Sequence, residues 1–215
     1  MQLQRYSGRR SSKGRHLHNY LHPAEVMAML KTLEPTPTDT RAELRRKERD
    51  LVLLLTLWAT GGRISEVLDL RPYDIIPPDR IRLPTRKSKS EPSRIIVVPP
   101  QAIAYLTSYV AKLRLYQLDY VFQGQDGRLS TRRSRIIVQQ AAAEAGVFRE
   151  KGGKMIPAWP HLLRHGAGMH WVKATNGNVL YVQRQLGHSD LASTMEYILM
   201  EDTQTRELGA GVSLF

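Results

Sequence analysis

The chain has 215 residues, 41% of them hydrophobic, and its 32 Lys and Arg outnumber 20 Asp and Glu to leave a formal charge of +12. That length fits one compact domain with appended arms, and the cationic excess points to a polyanion, either nucleic acid or an anionic membrane surface. No cysteine is present, which excludes disulfides, thiol catalysis and Cys-based zinc sites.

Residues 1–18 carry Arg5, Arg9, Arg10, Lys13 and Arg15, with no acidic residue and almost nothing apolar. Such a segment cannot offset its ordering entropy by burial, so it reads as a flexible basic arm. The arm either contacts a polyanion through residues such as Arg9, Arg10 and Lys13 or is simply solvated. It lacks the apolar core of a secretory signal.

Pro23 at a helix start, with Val26, Met29, Leu30 and Leu33 at helical spacing, predicts a first amphipathic helix over 23–34. A Pro/Thr/Asp loop over 34–40 ends it. A second, more deeply buried helix follows over 44–59 and stops at Gly61-Gly62. Its apolar stretch, 51–59 with Thr56 inside, is far short of the roughly 20 residues of a membrane span. A soluble, cytoplasmic protein associated with the nucleoid is the economical expectation. Residues 64–70 read as a short helix ended by Arg71-Pro72.

Ile75-Ile76, then 81–83 and 95–98, are short β-branched runs. They predict a small three-stranded antiparallel sheet, the one convincing β region, whose turn over 85–93 is long, basic and exposed. Helical patterns return over 101–116, 131–146, 160–175, 178–186 and 190–200. Ser130 and Asp190 have the look of N-caps, and Gly146 and Gly177 of stops. The fold class is therefore α+β, mainly helical, and no internal repeat is apparent.

Four groups of residues carry chemical interest. Arg63 follows Gly61-Gly62 at the end of the buried helix, where a guanidinium near the core needs an anionic partner. Glu66, one turn on, is either an internal salt-bridge partner or a clamp that aims Arg63 at a phosphate. In the β-turn, Arg86, Lys87 and Lys89 are solvated, hold phosphates nonspecifically, or supply a proton donor if the turn folds over a scissile bond. His161 and Arg164, three apart in a first helical turn, share a face. Gly168 falls on that side and leaves room for a bulky partner. His161 and His165 have the i, i+4 spacing of a metal pair, but Leu162 stands where a zinc protease needs Glu. In the last pattern, Leu191, Met195, Ile198 and Leu199 form the packing face of a helix. Tyr197 lies off that face near Ser193 and Glu196, which makes it eligible as a nucleophile or simply exposed. His188 closes Leu-Gly-His nine positions earlier.

The order Gly-Gly-Arg63-Ile-Ser-Glu66, a turn lysine, His161-Leu-Leu-Arg164-His165-Gly, then Leu-Gly-His188 and Tyr197 resembles the tyrosine recombinase (phage integrase) family over about 22–200. The resemblance implies the catalytic-domain fold of the DNA breaking-rejoining enzymes. It divides the chain into a basic arm (1–20), a catalytic domain (21–200) and a tail (201–215) that docks on a neighbouring subunit. It further implies that Tyr197 attacks the phosphorus to form a 3′-phosphotyrosyl link. Arg63 and Arg164 hold the non-bridging oxygens, and Lys89, matching the family's Thr/Ser-Lys-Ser turn, protonates the leaving 5′-oxygen, with Lys87 close enough to compete. His161 assists proton movement and His188 hydrogen-bonds the phosphate. The partners implied are double-stranded DNA, three further copies in a DNA-bound tetramer, and accessory DNA-bending proteins. No ATP is called for, and the sequence has neither a Walker loop nor a carboxylate cluster for a metal.

Members of the family usually carry a separate N-terminal helical domain that completes a clamp around DNA. Only residues 1–20 precede the catalytic segment here, a layout that resembles the family's short, single-domain DNA invertases, including those acting on fimbrial switches. Two other readings of the same cationic chain are an architectural DNA-binding protein without catalysis and a topoisomerase-like relaxing enzyme.

Overall fold

The computed structural model describes residues 20–84, 93–125 and 127–187. Its centre is helix α2 (Arg41–Thr60). The Thr40 hydroxyl accepts from the Glu43 amide at 3.3 Å while the Glu43 carboxylate accepts from the Thr40 amide at 2.9 Å. This reciprocal cap starts the helix three residues before the first apolar position of the expected 44–59 span. Val52, Leu53, Leu54 and Leu57 are at most 3% exposed, so several faces of α2 are covered. Helix α1 (Pro23–Thr32) covers one face, through buried Val26 and Met29. Gly61 ends α2 at φ +52°, a conformation in which an L side chain is strained. Helix α3 (Ile64–Leu68) follows at once.

A 3₁₀ turn (Pro72–Asp74) leads to strands β1 (Ile75–Ile76), β2 (Arg80–Leu83) and β3 (Arg94–Val97). They form the expected antiparallel sheet in the order β1-β2-β3, with Ile81 opposite Ile96 and Leu83 opposite Arg94. Ile81, Leu83 and Ile96 face the core, while Ile95 and Val97 face out. Helix α4 (Pro100–Leu113) then returns across α2.

The β content exceeds the single region expected. Strands β4 (Gln123–Gly124) and β5 (Gly127–Arg128) make a minimal hairpin. After helix α5 (Thr131–Glu144), capped by the Ser130 hydroxyl on the Arg133 amide at 3.1 Å, a longer hairpin pairs β6 (Phe148–Lys151) with β7 (Lys154–Pro157). Its two-residue turn is Gly152-Gly153, both at positive φ, as a type I′ turn requires.

Helix α6 (Pro160–Ala174) lies against α2, and helix α7 (Val179–Leu186) packs on α6. Gly166 makes the first contact possible, because a Cβ there would sit 2.4 Å from the Leu21 carbonyl oxygen and 2.7 Å from the Trp58 ring. Gly168, expected to open a face to a substrate, is instead buried. The close approach shown for α6 is that of Gly166 to the Leu21 backbone and the Trp58 ring. The basic arm, the turn over 85–92, the expected helix over 190–200 with its Asp190 cap, and the tail lie outside the described residues.

Candidate active site

Arg63 stands between the left-handed end of α2 and the first turn of α3. Its Nη1 donates to Glu66 Oε1 at 2.9 Å and its backbone N–H to Oε2 at 2.8 Å. The pair is asymmetric, with the Glu66 side chain 3% exposed and the Arg63 side chain 33% exposed. The buried member is the carboxylate, not the guanidinium, and Arg63 leans outward from it.

Glu66 has a second partner that sequence reasoning did not anticipate. Arg94, the first residue of β3, donates from Nη1 to Oε1 at 3.1 Å and from Nη2 to Oε2 at 2.9 Å. Burial pushes the Glu66 carboxyl up, but the Arg94 hydrogen bonds and charge, then the bonds from Arg63, bring it below its ordinary value. The group is a stable anion held by two cations.

Arg164, in the first turns of α6, is 4% exposed. Its Nη1 donates to the Gly61 carbonyl at 2.9 Å and its Nη2 to the Leu186 carbonyl at 2.8 Å. One guanidinium therefore ties together the end of α2, the start of α6 and the end of α7. Carbonyl dipoles offset part of its desolvation but carry no net charge. His161, one turn earlier, is exposed at the mouth of the same region and meets the His165 ring edge-on, 4.4 Å between centroids. Packing around the imidazole, with the Arg164 and Arg63 charges, pushes its pKa below the ordinary histidine value and favours the neutral base.

Three of these side chains, those of Arg63, His161 and Arg164, border a cleft of about 510 Å³. They line it together with Arg135 and Gln139 of α5 and Lys151 of β6, over a floor that includes Ile64, Ile156 and Trp159. Lys151 Nζ lies 4.9 Å from the Trp159 ring centroid. Four cationic side chains and, among the described residues, no carboxylate border this cleft, so its field suits an anion with several oxygens. No group of three or more His, Asp or Glu among the described residues is arranged to hold a metal ion.

The structure thus brings together Arg63, Glu66, His161 and Arg164 from segments a hundred residues apart in sequence. Lys89, Lys87, Arg86, His188, Tyr197, Arg9, Arg10 and Lys13 lie outside the described residues. Arg94, Arg135, Gln139 and Lys151 were not foreseen. Gly152-Gly153, a hairpin signal beside Lys151, was the one local cue to any of them.

The protein is thus a mainly helical α+β domain with a small antiparallel sheet, in which two arginines and a histidine from distant segments face one cationic cleft. The phage integrase family model matches residues 19–204, and the chain belongs to that family. It is 28% identical over 208 residues to the tyrosine recombinase XerD of Mycobacterium leprae (strain TN), covering 92% of this chain and 62% of that protein. It is 31% identical over 166 residues to the tyrosine recombinase XerC of Xanthomonas axonopodis pv. citri (strain 306), covering 77% of this chain and 50% of that one. The chain therefore spans between 50% and 62% of the length of these two relatives.

Among solved structures, the XerH site-specific recombinase in its post-cleavage complex with palindromic difH substrate superposes with a TM-score of 0.73 at 21% identity, over 94% of this chain and 55% of that one. The catalytic domain of bacteriophage HP1 integrase superposes with a TM-score of 0.54 at 22% identity, over 84% and 87%. At these identities the likeness is one of fold. No helix among the described residues is long and apolar enough to cross a membrane.

Proposed function

We propose that this chain is a site-specific DNA strand transferase that cuts and rejoins DNA through a phosphotyrosyl intermediate. The observation that carries the reading is the convergence of Arg63 and Arg164 on one cleft beside His161. The Arg164 charge is nearly inaccessible to bulk water and fixed by two backbone carbonyls. Two preorganised guanidiniums are what the extra negative charge of a pentavalent phosphorus needs, and they act most strongly where water is excluded.

In the proposed reaction the Tyr197 oxygen bonds to phosphorus as the bond to the 5′-oxygen breaks, leaving a 3′-phosphotyrosine and a 5′-hydroxyl. A phenol with pKa about 10 must shed its proton on attack. Neutral His161 takes part in that transfer, and Lys89, or Lys87 beside it, protonates the departing 5′-oxygen. Arg63 and Arg164 hold the non-bridging oxygens and His188 hydrogen-bonds one of them. Because the bond energy is kept in the phosphotyrosine, resealing by a second 5′-hydroxyl needs no nucleotide cofactor. The basic residues Arg9, Arg10 and Lys13 of the arm, with Arg86 and Lys87 of the turn, hold flanking DNA. Segment 21–200 is the catalytic domain, and the tail (201–215) docks on a neighbouring copy in a DNA-bound tetramer, assisted by DNA-bending proteins in the nucleoid-containing cytoplasm.

The test is capture of covalent adducts on a library of nicked duplexes. Wild-type protein is expected to form adducts that survive detergent, and Tyr197→Phe none. Adducts undiminished in Tyr197→Phe overturn the assignment. Relaxation of supercoils on DNA of any sequence, without strand exchange, replaces site-specific recombination with topoisomerase-like activity.

A further inference from the structure

The hydrogen bonds around Glu66 leave no acceptor position vacant. A carboxylate offers about four lone-pair sites. Oε1 accepts from Arg63 Nη1 and Arg94 Nη1, and Oε2 from the Arg63 backbone N–H and Arg94 Nη2. Arg94 thus grips the carboxylate with two side-chain nitrogens, while the Arg63 guanidinium touches it through one. Arg63 lines the cleft and Arg94 does not.

Arg94 also reaches α7. Its Nε donates to the Gln185 carbonyl at 3.3 Å. The Gln185 side chain in turn bonds both backbone groups of Val97, accepting from N–H at 3.2 Å and donating to C=O at 3.1 Å. A Cβ at Gly187, whose φ of +62° already disfavours a side chain, would fall 2.8 Å from Arg94 Nε and 2.9 Å from Cζ, so it would crowd the guanidinium.

We propose that Arg94 is a positioning residue for Arg63. By occupying two of the four Glu66 acceptor sites, it leaves the Arg63 guanidinium held at one nitrogen and turned to the cleft. It also sets the end of α7 in register with Arg63. Without Arg94, a carboxylate 3% exposed to solvent has two unfilled acceptor sites and one neighbouring fork to fill them. Arg63 then closes on Glu66 with both terminal nitrogens, the geometry that arginine and carboxylate favour, and withdraws from the phosphate. This inference rests on the phosphodiester reading above for its catalytic consequence, and on geometry alone for the orientation of Arg63.

The experiment is a double-mutant cycle on Arg94→Gln and Glu66→Gln, read on a nicked duplex that gives the Tyr197-dependent adduct. Arg94→Gln is expected to slow adduct formation by on the order of 100-fold, the effect of about 1 Å of misplacement, while duplex binding changes little. Adding Glu66→Gln removes the charge that draws Arg63 away, so the double variant is expected to react faster than Arg94→Gln alone. A double variant as slow as or slower than Arg94→Gln overturns the proposal, because a scaffold residue gives losses that add. The second readout needs no cleavage: the Arg63 Nε–H resonance, assigned by its loss in Arg63→Lys, is titrated with inorganic phosphate. It should respond in wild type, respond at least several-fold more weakly in Arg94→Gln, and recover in the double variant. Equal responses in wild type and Arg94→Gln overturn the proposal even if the wild-type protein forms no adduct, an outcome that counts against the strand-transfer reading alone.

Discussion

Replacing Gly166 with alanine sets two effects of known size against each other. Alanine in a helix interior is favoured over glycine by about 1 kcal/mol. Against this, the new methyl would lie 2.4 Å from the Leu21 carbonyl oxygen and 2.7 Å from the Trp58 ring, where ordinary contact begins at 3.4 Å. Leu21 is fully buried and the nearer atom is backbone, so α6 must retreat by about 1 Å. Overpacking of this kind costs about 1–3 kcal/mol, and a rigid neighbour places it at the upper end. The net expectation is about 2 kcal/mol of destabilisation. For a chain of this size that lowers Tm by about 4–8 °C. Thermal unfolding followed by circular dichroism measures it, with urea unfolding as a check that the two-state slope is unchanged. Since α6 carries His161 and Arg164, adduct formation should fall as well, even well below Tm. A Tm equal to or above wild type refutes the reasoning, since helix propensity would then have outweighed the clash.

Arg164→Met keeps an unbranched apolar stem, shorter than the arginine, and leaves the Gly61 and Leu186 carbonyls without this donor. An unsatisfied buried acceptor costs about 1–3 kcal/mol, so the urea midpoint should drop, and an unchanged midpoint contradicts the tie described for these three helices. His161 has its pKa lowered in the folded protein, so folding favours the neutral ring. Its contribution to stability is full above the unfolded value of about 6.5 and is lost as pH falls through the lower folded value, a small effect for an accessible side chain. An NMR titration of the His161 ring with its midpoint at or above the ordinary value argues against that sign. Duplex binding should weaken by about 0.9 log units in affinity per neutralised phosphate for each decade of salt, and a flat response between low and physiological salt contradicts a phosphate-holding cleft.

The sheet and the helices were legible because their apolar residues repeat at the right periods. Ile81, Leu83 and Ile96 alternate with outward neighbours, and Val52, Leu53, Leu54 and Leu57 mark a helix packed on several sides. The first turn of α2 was hidden from that signal because Arg41, Ala42 and Glu43 contribute little to the core, although Thr40-x-x-Glu43 is itself a cap signature. The β6–β7 hairpin escaped for the same reason. Phe148, Glu150, Lys151, Lys154 and Met155 are all exposed, so no alternation of apolar and polar residues announces the strands. Its glycine pair was the better clue. The neighbourhood of Arg63, His161 and Arg164 was suggested by short motifs, but Arg94 belongs to none. It is an ordinary basic residue at a strand start, and only the folded chain brings it to a glutamate 28 positions away.

The bonds of Arg164 span 103 residues to Gly61 and 22 residues to Leu186. Domains fold as units, and synthesis proceeds from the N-terminus. Until residue 186 has left the ribosome, the arginine lacks its Leu186 anchor. A growing or truncated chain can already hold α2 against α6, yet it lacks the Leu186 carbonyl that fixes the second guanidinium nitrogen. The junction of the three helices is thus completed only when α7 joins it, however early α2 and α6 have met.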